Sequence, residues 1–114
     1  MPAFPPPPVP KMLEEFLADY PEVIAEIGES LKRYAEKPSI LMPFDGAIWT
    51  IQAALEGMAL DARDAAKLAK EQGDDSAAES ALAKELRLLH AGIGLVGRLG
   101  GLREHIAEVW GVTP

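Results

Sequence analysis

The sequence predicts an all-α protein: a long antiparallel helical hairpin over about 46–72 and 76–110, with two shorter N-terminal helices completing a small helical bundle. Three observations carry this. Apolar residues recur at helical spacing through four successive segments. No segment alternates with the period of a strand. Proline, glycine or a capping residue bounds each segment.

Residues 1–10 read MPAFPPPPVP. Four consecutive prolines enforce a polyproline II rod and forbid helix. This sets 1–10 apart as an N-terminal arm and 11–114 as a single helical domain. Pro7-x-x-Pro10-Lys11 also has the spacing that SH3 grooves read. The competing reading is an arm that packs on its own domain or is disordered.

Pro10 suits the first turn of a helix over about 10–20, where Leu13, Phe16, Leu17 and Tyr20 recur at helical spacing. Pro21 interrupts it and starts the next helix, with the stripe Val23, Ile24, Ile27, Leu31 and Tyr34. Glu29 and Arg33 are expected to pair across one turn. Pro38 and Pro43 bracket a loop, and Asp45 is the expected cap of the third helix.

In that third helix Ile48, Ile51, Leu55, Met58, Ala62, Ala65 and Ala69 keep a coiled-coil spacing. Gly73 is the expected C-cap. Asp75 or Ser76 is the expected cap of the last helix, with Glu79 near the capping-box position. Ala77, Ala78 and Ala81 then face the alanines that close the third helix.

The last helix carries two apolar rows. Leu82, Leu86, Leu89, Ile93 and Val96 form one; Leu88, Leu95, Leu99, Leu102, Ile106 and Val109 form the other, about 100° round. The first runs in register with the third helix and is expected to be buried. The second outlasts it: either helices 1 and 2 cover this row, or part of it meets a second chain, and its far end has fewer intramolecular candidates for cover. Its far end, Leu95, Leu99, Leu102, Ile106 and Trp110, is therefore the expected protein interface. The excess of apolar surface also predicts a homodimer along the two long helices.

The stretch 91–102 is rich in glycine, and Gly92-x-Gly94-x-x-Gly97 matches the dinucleotide fingerprint literally. That site needs a preceding strand and an acid about 20 residues on, and neither is present. Close packing fits better. Gly97 and Gly101 share a helix face that admits another backbone or a bulky side chain such as Trp49 or Phe44. A kink at Gly100-Gly101 is the alternative.

Composition narrows the function. The chain has 114 residues, 11 basic and 18 acidic, for a net charge of −7. An acidic chain with scattered basic residues is a poor ligand for nucleic acid. The apolar stretches fall short of the roughly 20 residues of a membrane span. The proline-rich start does not resemble a signal peptide, and there is no cysteine, which fits a cytoplasmic protein.

No catalytic, cofactor or metal site is expected. His90 and His105 stand about 22 Å apart along a straight helix, too far for one metal ion. Neither follows a glutamate by three residues, as di-metal bundles require. His105 and Glu108 read as a solvated pair. None of Ser30, Ser39, Ser76 and Ser80 lies in a nucleophile-elbow setting.

These readings converge on a non-enzymatic protein-protein interaction module, a small regulator that docks on a partner and blocks it. A self-assembling structural protein is the alternative. In size, acidity and four-helix make-up the chain resembles the small bacterial anti-activators that bind quorum-sensing transcription factors. The proline-rich start, Phe4 to Lys11, and the helix from Leu82 to Trp110 are the parts that align. The resemblance implies binding to the ligand-sensing domain of a LuxR-type activator, preventing its dimerisation and DNA binding. It carries over no individual site residue.

Overall fold

The computed structural model describes residues 4–39, 41–92 and 100–111, with side chains from residue 104 onward in the last stretch. Among these residues there are five helices and no strand: α1 (Lys11–Phe16), α2 (Pro21–Glu36), α3 (Pro43–Glu71), α4 (Asp75–His90) and α5 (Gly100–Glu108). The long helix α3 is the spine. It packs against α4 along the hairpin, against α2, and against α5.

Prolines set the starts. Pro21 and Pro43 begin α2 and α3 at the first helical positions, where a missing N–H costs nothing and φ is already helical. Asp45 is consequently not the cap of α3. Met42 occupies that position and Asp45 lies in the first turn, where its charge complements the helix dipole. Pro10 precedes α1 with φ −57° and ψ 137°, polyproline II values. Its carbonyl accepts from the N–H groups of Leu13 and Glu14 at 3.0 and 3.1 Å.

The hairpin turn closes as expected at Gly73, which has φ +75°. The Asp74 N–H reaches the Ala69 carbonyl at 2.8 Å and the Gly73 N–H reaches Lys70 at 3.1 Å, the paired bonds of a Schellman end. The cap of α4 is Asp74, whose carboxylate accepts from the Ala77 N–H at 3.1 Å. Asp75 and Ser76 thus lie inside the helix, and Glu79 takes no part in a capping box.

The core holds Leu13, Leu17, Val23, Ile27, Leu31, Ile51, Leu55 and Leu88, with Ile106 and Trp110 at its lower end. The seam of α3 departs from strict heptads beyond Leu55. Ala59, Ala62, Ala66 and Ala69 are buried, whereas Met58 is only partly covered and Ala65 is exposed. An α-helix of 3.6 residues per turn drifts by about 20° per heptad from a 3.5 repeat. From one heptad past Ile51 one side of the buried line has moved to the neighbouring residues, Ala59 for Met58 and Ala66 for Ala65, while Ala62 and Ala69 stay buried.

At the base, α2 runs beside the start of α3 through Tyr34. Its hydroxyl donates to the Pro43 carbonyl at 2.8 Å and accepts from the Ser39 N–H at 3.2 Å. The ring lies against Gly46: a Cβ there would overlap the hydroxyl and stand 2.8 and 2.9 Å from ring carbons. Burial of the ring edge pushes the Tyr34 pKa above the ordinary tyrosine value.

One further expectation is revised. Arg33 bonds Glu26 and Ser30 Oγ, each at 3.1 Å, instead of Glu29. Within the span expected as one helix over 76–110, α4 covers Asp75–His90, the hydrogen bonding widens to a π-type turn at Ala91 and Gly92, and α5 covers Gly100–Glu108; residues 93–99, between them, lie outside the described residues. Phe44 is core while Trp49 is exposed; Gly97, their expected neighbour, lies outside the described residues.

Candidate functional site

Within α4, the described parts of the two apolar rows exchange roles. Leu88, from the row expected to be free, is fully buried against α3. Leu82, Leu86 and Leu89, from the row expected to be core, are 44%, 56% and 36% exposed. Size explains the exchange. Helix α4 approaches α3 through its small residues, with Ala78 buried opposite Ala66 and Ala69. Small side chains on both helices permit close approach, and the bulky leucines are left on the flank.

Which flank is covered depends on α1 and α2. Lys84 Nζ lies 3.0 Å from Glu22 Oε1 and 5.7 Å from the centre of the Tyr20 ring. The hydrogen bond from Lys84 holds the Glu22 carboxyl below the usual carboxylate pKa. The Arg87 guanidinium sits 4.8 Å from the centre of the Phe16 ring. The N-terminal helices therefore meet the Lys84–Arg87 side of α4. At 100° per residue, Leu82, Leu86 and Leu89 lie on the opposite side.

On that open side a furrow runs between α3 and α4. Three adjoining hollows form it: one lined by Leu82 and Lys70, one by Leu60 and Leu89, and one by Gln52 and Gly92. Arg63 and Glu85 line both the first and second hollows, and Glu56 and Leu89 both the second and third. Leu60, 58% exposed, stands on the α3 wall. Among the described residues no third element covers this flank.

Of the five expected interface residues, only the side chains of Ile106 and Trp110 are described. Ile106 is fully buried and Trp110 is 7% exposed, so neither offers a free surface. Leu95 and Leu99 lie outside the described residues, as does the side chain of Leu102. The cover is the N-terminal arm, which packs on its own domain, one of the readings its proline run allows. Phe4 N–H bonds the Ala35 carbonyl at 3.1 Å. The Pro5 carbonyl accepts from Trp110 Nε1 at 2.6 Å, and His105 Nε2 is 3.3 Å from the same oxygen. The Phe4 and Tyr34 rings stand 5.1 and 6.0 Å from that of Trp110. Proline runs leave their carbonyls without internal partners, so Pro5 is a ready acceptor. Pro7 is buried as well, which removes it from the SH3-type motif. His105 packs edge-on against Trp110 at 6.5 Å and forms no ion pair with Glu108.

Among the described residues no group of three or more His, Cys, Asp or Glu side chains could hold a metal ion. No described helix is long and apolar enough to cross a membrane. No family model, curated protein or solved structure matches the chain.

Proposed function

We propose that this protein acts by binding another protein and not by catalysis, and that the open α3/α4 flank is its contact face. One observation carries the reading: four large apolar side chains, Leu60, Leu82, Leu86 and Leu89, line one flank of a hairpin whose other flank is covered. Apolar patches of this kind on soluble domains mark contact sites.

The finer reading is an anti-activator that occupies the ligand-sensing domain of a LuxR-type transcription factor. The likeness of size, acidity and helical make-up supports it. The contact reading is tested by quantitative capture from a bacterial lysate with the wild type and with Leu82→Glu/Leu86→Glu as baits. Proteins held by the wild type should be lost with the variant, because a charge in an apolar contact cannot be desolvated cheaply. Identical capture by both baits contradicts the reading. For the finer reading, the purified protein should release a LuxR-type activator from its DNA in a mobility-shift titration. An unchanged shift at excess protein contradicts it.

A further inference from the structure

Along its first hollow the furrow of the open flank has walls of opposite charge; Glu56 of α3 lines only the second and third hollows. On the α3 side stand Arg63, Lys67 and Lys70; on the α4 side stand Asp75, Glu79 and Glu85. The ion pairs among the described residues, Glu26 with Arg33 and Glu22 with Lys84, involve none of these six. Six charges of two signs, sorted by helix, flank the exposed leucines.

We propose that the flank is covered by a second copy of this chain, seated with its two-fold axis parallel to the hairpin. The proposal rests on reading this flank as a contact face. Rotation about that axis lays α3 of each copy on α4 of the other, antiparallel and at the same height. Arg63 lines the same hollows as Glu85, and Lys70 the same hollow as Asp75, so these pairs are level along the hairpin. In the dimer each basic row therefore meets the partner's acidic row. Leu60, which shares a hollow with Leu89, meets the leucines of the other copy. The result is a four-helix arrangement in which every neighbouring pair is antiparallel. Each contact occurs twice, as an isologous interface requires.

The charges also exclude the other face-to-face seating. A two-fold axis across the hairpin lays α3 on α3 and α4 on α4. Centred on the leucines, it sets Arg63 against Arg63 and Glu85 against Glu85, and like charges brought together oppose association.

The test is a charge-swap mixing experiment followed by sedimentation equilibrium at tens of micromolar, with helicity checked by circular dichroism. The wild type should sediment at about 24 kDa, twice the 12.2 kDa of the chain. Arg63→Glu alone sets two glutamates together at each contact, and Glu85→Arg alone sets two arginines together. Each variant alone should sediment as a monomer. An equimolar mixture of the two restores both pairs, and the dimer should return. An effect confined within one chain cannot be rescued by mixing. If Glu85→Arg loses helicity, the exposed pair Lys67→Glu and Glu79→Arg is used in the same way.

A monomeric wild type overturns the proposal. In that case, capture that is still lost with Leu82→Glu/Leu86→Glu leaves the contact reading standing with a different protein as occupant. A wild-type dimer whose single variants stay dimeric, or whose mixture stays monomeric, overturns the two-fold seating.

Discussion

The two flanks of α4 carry different side chains and meet different surroundings. On one, Lys84 and Arg87 lie over the Tyr20 and Phe16 rings and tie the helix to α1 and α2. On the other, Leu82, Leu86 and Leu89 face outward beside basic residues of α3. Apolar periodicity thus identifies the faces of a helix that need cover, while the size of the residues decides which neighbour gives it. Alanines bring α3 and α4 together, and the leucines of α4 are left exposed.

The covered flank should be most vulnerable at the base, where the arm closes the core. Trp110→Ala should lower stability by about 3–5 kcal/mol. It removes a buried indole, its bond to the Pro5 carbonyl at 2.6 Å, and the surface on which Phe4 rests. Urea denaturation checks this, and amide exchange at Phe4 should rise with it.

Next comes Leu88→Ala. The side chain is fully buried, so a loss of about 2–5 kcal/mol is expected. The same truncation at Leu86 should change stability by less than about 0.5 kcal/mol in dilute protein. Equal losses at the two positions would erase the distinction between the flanks.

A weaker effect is expected from Tyr34. Its pKa is raised in the folded state by burial, so the native protein holds that proton more tightly than the unfolded chain. Its contribution is complete below the unfolded value of about 10 and is lost as pH rises through the higher folded value. Above about pH 10 the wild type should lose stability more steeply than Tyr34→Phe. Parallel profiles would show that burial does not raise the Tyr34 pKa in the folded protein.

Much of the fold was legible in the chain. Pro21, Pro43 and Gly73 mark element boundaries by restricting or freeing φ, and the stripe of α2 follows from spacing alone. The choice between the rows of α4 was not legible. Ala77, Ala78 and Ala81 read as facing the alanines of α3, yet the leucine row beside them also reads as core, although alanine opposite alanine makes the closer helix contact. The signal was present in Ala62, Ala66 and Ala69 facing Ala78, but periodicity does not weigh side-chain size. Trp110 was misplaced for a related reason. Only helices were counted as cover, whereas a proline-rich arm without regular hydrogen bonds buries an indole and accepts its N–H.

Leu82→Glu/Leu86→Glu decides whether the flank is open. Its urea-unfolding stability should be measured below one micromolar, where association does not contribute. Both side chains are exposed, at 44% and 56%, so the stability should stay within about 1 kcal/mol of the wild type. A loss above about 3 kcal/mol, the cost of charges forced into a packed core, would place these leucines inside the protein and contradict the open flank.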